Sequence, residues 1–216
     1  MKSMYKYVLF DLDGTISDSS EGITKAVQKS LSEMGIEVED RGELRKFIGP
    51  TLAYSYSKFF GFNEEQCAEA IRRYRAYYSV RGLFENTPYP GVAELLSRIK
   101  ESGRKIAVTT SKPDKFTMQI LDHFGFLKYF DFVAGATMDE KRGTKDEVVA
   151  YCLEQLGNPD KKDVVLVGDT RFDAEGAAKI GIDSIGVLYG FGTREELENA
   201  GATHIAATVE EILTYL

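Results

Sequence analysis

A doubly wound parallel α/β sheet carrying an inserted helical cap is the fold this sequence predicts, on three observations. Short apolar or β-branched runs alternate with amphipathic helical patterns over most of the chain, which is the signature of parallel βαβ units. Two of the runs, Tyr7 to Phe10 and Val164 to Val167, are apolar at every position instead of every second one, as strands covered on both faces are. From Ser19 to about Pro88 the pattern turns helical with no strand signal between, and so stands outside the alternation. The expectation is a Rossmann-like core from residues 1–18 and 89–216, with helices on both sides of the sheet and a helical cap at 19–88.

The elements follow in order. Strands are expected at Tyr7 to Phe10, Ile106 to Thr110, Phe132 to Ala134, Val164 to Val167, Ser184 to Val187 and His204 to Ala206. Between them, Val92, Leu95, Leu96 and Ile99 make one helical stripe, Phe116, Ile120 and Phe124 a second, and Val148, Val149, Cys152, Leu153 and Leu156 a third. Ile212, Leu213 and Leu216 suggest a terminal helix docking on the core. In the cap, Ile23, Val27, Leu31 and Met34 form one stripe and Cys67, Ile71, Tyr74 and Tyr78 another, closed by Pro88 and Pro90. No internal repeat or low-complexity segment interrupts these patterns.

Composition narrows the function. With 27 Lys and Arg against 34 Asp and Glu, the formal charge of -7 repels a nucleic-acid backbone, so nucleic acid is not expected as a partner. The apolar run within Met1 to Phe10 is broken by Lys6 and too short for a signal-peptide core or a membrane span. A cytoplasmic protein without membrane partners, monomeric or weakly dimeric, is the expectation. Cys67 and Cys152 are too few for a disulfide framework or a zinc cluster and read as buried apolar residues. His123 and His204 lie near no nucleophile motif, which weakens any mechanism built on histidine.

The chemistry lies at the predicted strand ends. Asp11-Leu12-Asp13-Gly14-Thr15 puts two carboxylates two residues apart at the carboxyl end of the first strand, where open α/β sheets hold their ligands. Two like charges crowded together call for a cation, and hard oxygen ligands with no thiolate or imidazole nearby suit Mg²⁺. The segment Gly168-Asp169-Thr170-Arg171-Phe172-Asp173 repeats the arrangement after another apolar strand. If the two strands are neighbours, Asp169 converges on Asp11 and Asp13, and Asp173 braces the metal's water shell. In Thr109-Thr110-Ser111-Lys112-Pro113, hydroxyls before a helix N-terminus make a seat for phosphate oxygens. Lys145 starts a helix, against the sense of the helix dipole, which hints at a role; Lys141 is its competitor. Read singly, each motif is also an ordinary turn, a helix cap or a solvated lysine.

Taken together, DLDGT at Asp11, TTSK at Thr109, Lys145 and GDTRFD at Gly168 resemble the four motifs of the haloacid dehalogenase superfamily of phosphohydrolases. The helical insert resembles that family's C1-type cap. The run Phe47-Ile48-Gly49-Pro50 and the cap exit Tyr89-Pro90-Gly91-Val92 are similar to phosphoglycolate phosphatase-like members. The resemblance implies that Asp11 is the nucleophile that takes the phosphoryl group. Asp13 then protonates the leaving alcohol and activates water against the aspartyl phosphate. It implies Mg²⁺ held by Asp11, the Asp13 backbone carbonyl and Asp169, with Asp173 one shell further out. Thr110, Ser111, the Gly14 backbone and Lys145 bind phosphate, although the spacing around Lys145 departs from the KPxPD form common in the family. The substrate is a small phosphorylated metabolite such as phosphoglycolate, a nucleoside monophosphate or a sugar phosphate; pyrophosphate is a variant. A sugar phosphomutase and a non-enzymatic phospho-receiver are the alternatives. Around the Gly49-Pro50 turn, Lys46 and Thr51 are the candidate readers of the leaving group, with Arg45 and Lys58 nearby.

Overall fold

The computed structural model describes residues 5–139 and 141–216; residues 1–4 of the expected core segment lie outside the described residues. In chain order it forms β1 (Tyr7–Phe10), β2 (Ser17–Asp18), α1 (Ser20–Ser32), α2 (Leu52–Phe60), α3 (Glu64–Tyr77), β3 (Thr87–Pro88), α4 (Val92–Glu101), β4 (Lys105–Pro113) and α5 (Asp114–His123). Then follow β5 (Phe132–Ala136), α6 (Lys145–Gln155), β6 (Val164–Gly168), α7 (Arg171–Ile180), β7 (Asp183–Val187), α8 (Arg194–Asn199) and β8 (His204–Ala206). Six strands make one sheet in the order β5-β4-β1-β6-β7-β8, parallel throughout.

The uniformly apolar runs take the middle of that sheet because both of their faces are covered. Val8, Phe10, Val165 and Val167 point to one side, where Leu95, Leu96 and Ile99 of α4 and Phe116 and Ile120 of α5 meet them. Leu9, Val164 and Leu166 point to the other, against Val148, Val149 and Cys152 of α6 and Ala177 of α7. Each fully buried aliphatic side chain contributes about 1.5–3 kcal/mol, so this double cover fixes β1 and β6 side by side. The order reverses at β1, with β4 and then β5 to one side and β6 to β8 to the other; such switch points are where open sheets take ligands.

The cap leaves and rejoins the core at β2 and β3, which pair antiparallel, Ser17 with Pro88 and Asp18 with Thr87. Two-residue strands carry no periodicity, so sequence patterning gives no sign of this ribbon. Within the cap, α1 packs on α3, and Ile23, Val27, Leu31, Cys67, Tyr74 and Tyr78 of the two expected stripes are buried. The expected terminal helix is instead a short 3₁₀ turn, Glu210–Thr214, burying only Ile212. Among the described residues no helix is long and apolar enough to cross a membrane.

Candidate active site

The floor of the cleft is built by the ends of β1 and β6. Their registered pairing, Phe10 against Val167, delivers Asp11 and Asp169 to adjacent strand ends, and the Asp11 N–H donates to the Val167 carbonyl at 2.9 Å. Asp173, in the first turn of α7, is carried back toward them. One carboxylate oxygen from each of Asp11, Asp169 and Asp173 lies within 4.8 Å of the others, and all three residues are buried. Gly14 is required beside them: its φ is +84°, and a Cβ there would stand 2.0 Å from Asp169 Oδ2. That oxygen instead accepts the Phe191 N–H at 2.7 Å, while Thr15 Oγ1 lies 3.4 Å from Oδ1.

Crowding and burial set the charge states. Burial raises the Asp11 pKa to about 6; Lys145 pulls it down and Asp173 pushes it up. Asp169 is held well above the usual carboxylate range, first by burial and then by Asp173 and Asp11. Lys145 is nine-tenths or more buried at the start of α6. Its Nζ lies 2.8 Å from Asp11 Oδ1 and 2.7 Å from Asp173 Oδ1, and donates to the Thr109 carbonyl at 2.9 Å. Burial opposes its charge, but the two acids outweigh that and hold the ammonium above its ordinary range. The unfavourable start of helix is thus offset by two ion pairs. Lys141, in contrast, is exposed and lies 3.4 Å from Asp139.

Asp13 turns away from this cluster. Its Oδ2 pairs with Lys112 Nζ at 2.9 Å, and its Oδ1 is buried without a hydrogen-bond partner among the described residues. The two carboxylates of the DLD run therefore face two different lysines. Asp173 is fully engaged: its Oδ2 accepts from the Thr170 N–H and hydroxyl at 3.0 and 2.9 Å while Oδ1 meets Lys145. It braces the lysine and the helix start.

The buried set comprises four carboxylates, Asp11, Asp13, Asp169 and Asp173, and two ammonium groups, Lys112 and Lys145. Two negative charges are left over when all are ionised. A divalent, oxygen-loving cation fits that deficit and the all-carboxylate donor set.

Thr110 and Ser111, near the end of β4, line a cavity of about 60 Å³ together with Asp11 and Asp13. The strand runs further than its apolar pattern implies, to Pro113, with a register shift against β5 after Thr110. The Thr110 hydroxyl accepts the Lys112 N–H at 3.2 Å, so the turn reading of this segment is right locally. From the cap, Ile23, Phe47, Leu52, Tyr74, Arg75 and Tyr78 close the cavity. Lys46 and Thr51 are not among its walls, but Thr51 lines an adjoining cavity of about 330 Å³ together with Ser111 and Lys145. Lys46 Nζ sits 4.9 Å above the Phe59 ring, and Thr51 caps α2, its hydroxyl 3.3 Å from the Tyr54 N–H. The Gly49-Pro50 turn between them does reach the cavity. Patterning missed Lys112, Arg75 and Tyr78 as site residues: Tyr78 reads as helix stripe, Lys112 as part of a turn, and Arg75 carries no signal.

Acids and lysines gathered at the carboxyl ends of parallel strands, beneath a helical cap, define a capped α/β phosphohydrolase. The chain belongs to the haloacid dehalogenase-like hydrolases, whose family model matches residues 8–187. A 5'-nucleotidase of Pseudomonas aeruginosa is 38% identical over 203 residues, 94% of this chain and 91% of its own length. A phosphoglycolate phosphatase of Aquifex aeolicus is 31% identical over 187 residues, 86% of each chain. The crystal structure of a predicted phosphatase from Clostridium acetobutylicum superposes with a TM-score of 0.96 at 47% identity, covering 98% of each chain. The protein is a phosphoric monoester hydrolase, phosphoglycolate phosphatase-like in family.

Proposed function

We propose that the protein is a Mg²⁺-dependent phosphatase of small metabolites that works through an aspartyl phosphate on Asp11. The observation that carries this is the pairing of Asp11 with Lys145 beside Asp169, at a cavity that Asp13 also lines. Asp11, the Asp13 backbone carbonyl and Asp169 would hold the cation, which when bound offsets the repulsion between a carboxylate and a phosphate dianion. Lys145 keeps Asp11 oriented and adds a positive charge for the phosphoryl oxygens. Thr110 and Ser111 offer hydroxyls to the same oxygens, with the Gly14 backbone beside them. Asp13 donates a proton to the departing alcohol and takes one from the attacking water. Residues 19–88 act as the cap that selects the substrate and excludes bulk water.

The largely apolar lining that the cap gives the cavity, with Arg75 as its charged member, supports a small carboxylate-bearing leaving group such as glycolate. The identity shared with the Pseudomonas aeruginosa 5'-nucleotidase supports a nucleoside monophosphate. A panel of phosphoglycolate, nucleoside monophosphates and sugar phosphates, with free phosphate and isomerised sugar both measured, decides between these and against a mutase. Acid-quenched protein must carry the label on Asp11. Label on another residue, or phosphate release unaffected by a chelator, would overturn the proposal.

A further inference from the structure

The cap reaches the reaction floor through Tyr78. This residue opens a single π-helical turn, Tyr78–Gly82, at the end of α3, and such turns gather at functional sites. Its buried ring stacks on Tyr74 at 5.0 Å and meets Phe116 of α5 edge-on at 5.9 Å, so it spans the seam between cap and core. Gly82 permits that placement, since a Cβ there would stand 2.6 Å from the Tyr78 ring. The Tyr78 hydroxyl accepts a hydrogen bond from Lys112 Nζ, and the same ammonium pairs with Asp13 Oδ2 at 2.9 Å. Cap, lysine and acid form one chain of contacts. It leaves Asp13 Oδ1 as the buried, unpartnered oxygen.

We propose that Tyr78 and Lys112 are positioning residues that make hydrolysis of the phosphoenzyme depend on a closed cap. This rests on the aspartyl-phosphate reading above. In that half-reaction a water oxygen bonds to phosphorus, and the bond from phosphorus to the Asp11 carboxylate breaks, its electron pair returning to Asp11. One water proton passes to Asp13 Oδ1, and inorganic phosphate departs. The transfer needs Oδ1 within hydrogen-bond reach of the water, whereas a free carboxylate samples a broad range of rotation about its terminal torsion. Lys112 stops that rotation by holding Oδ2. Lys112 is itself a flexible chain, and the Tyr78 hydroxyl fixes its end. When the cap swings away that hydroxyl goes with it, so an open cap exchanges leaving groups without Asp13 being set to activate water.

The test uses Tyr78→Phe, which removes the hydroxyl and keeps both ring contacts, and Lys112→Gln. Phosphoenzyme is formed from radiolabelled acetyl phosphate and its decay followed by rapid acid quench. Steady-state rates are taken on 4-nitrophenyl phosphate, whose leaving group departs without a proton donor. Decay and kcat are expected to fall together, roughly tenfold for Tyr78→Phe and further for Lys112→Gln, while kcat/KM stays within about twofold. Unchanged decay overturns the proposal, as does an equal fall in kcat and kcat/KM. Loss of activity explained by a lower melting temperature in both variants also overturns it, because the hydroxyl would then serve only stability. A wild-type protein that takes no label and hydrolyses no ester defeats the aspartyl-phosphate reading itself, a separate outcome.

Discussion

Below the cleft, at the ends of β1 and β6, Asp11, Asp169 and Asp173 crowd within 4.8 Å and share Lys145. Above it, the cap lines the same cavity with Ile23, Phe47, Leu52, Tyr74 and Tyr78, and its one charged contributor there is Arg75. The floor concentrates charge that is costly to bury and so is suited to a reaction in which charge moves. The roof offers apolar surface and shape, which distinguish one leaving group from another by about 1–3 kcal/mol per methylene-sized change. On the proposed reading the floor reacts and the roof, Tyr78 apart, selects, so substitutions in the two should fail in different ways.

The largest effect expected is Asp11→Asn, which should cut kcat by about 10⁴-fold or more on every substrate. An amide cannot attack phosphorus. Because the change also relieves a crowded anion, the melting temperature at neutral pH should hold or rise. A variant that loses activity by unfolding would mean that the floor is a structural network and the comparison is wrong.

Removing the cation sharpens the same point through stability. Asp11 is raised in the folded state, from the ordinary carboxylate range to about 6. A raised acid contributes stability that is present below its unfolded pKa and is lost as pH rises through its folded one. Chelated protein should therefore lose melting temperature as pH climbs through about 6, and Mg²⁺ should restore it most at neutral pH. In Asp11→Asn the decline should flatten. For activity, Asp169→Asn should raise the Mg²⁺ requirement, on the order of 100-fold, whereas Asp13→Ala should stay inactive at any Mg²⁺ concentration. Rescue of Asp13→Ala by excess metal would reverse the two roles.

The two regions also differ in how far the sequence discloses them. The floor is legible because each acid sits at a fixed offset from an apolar run: Asp11 directly follows Phe10, and Asp169 lies two residues past Val167. Once β1 and β6 are adjacent, convergence follows from register alone. Even the choice between Lys145 and Lys141 has a signal, a cation at the wrong end of a helix, which only the ion pairs with Asp11 and Asp173 explain. The roof is illegible because its residues come from separate helices and a 3₁₀ segment whose mutual packing no local pattern specifies. Arg75 and Lys46 are both basic residues in helical surroundings. Only tertiary packing of α3 over the core puts Arg75 on the cavity and leaves Lys46 over Phe59 and Phe60. The split of Asp13 from Asp11 was equally hidden, since it depends on Lys112 being buried beneath the cap.

Within the roof the smallest effects separate wall from neighbour. Leu52→Ala and Arg75→Gln alter the cavity surface and should change the ranking of phosphoglycolate against a nucleoside monophosphate, by roughly 10- to 200-fold in relative kcat/KM. Leu52→Ala enlarges the space and should favour the bulkier ester. Lys46→Ala removes a cation lying over aromatic rings at an exposed site, a loss of about 0.5–1 kcal/mol of stability. Thr51→Ala removes a helix cap, at about 1 kcal/mol. Lys46 lines no part of the cleft, so Lys46→Ala should lower the melting temperature slightly and leave the substrate ranking within about twofold, whereas Thr51 lines an adjoining cavity of about 330 Å³ with Ser111 and Lys145, and Thr51→Ala should move the ranking only for a leaving group that extends there. The decisive measurement is the ratio of kcat/KM on the two esters in all four variants. If Lys46→Ala moves that ratio as much as Leu52→Ala does, the leaving group extends past the Gly49-Pro50 turn to the outer cap surface. The cavity would then be only part of the substrate site.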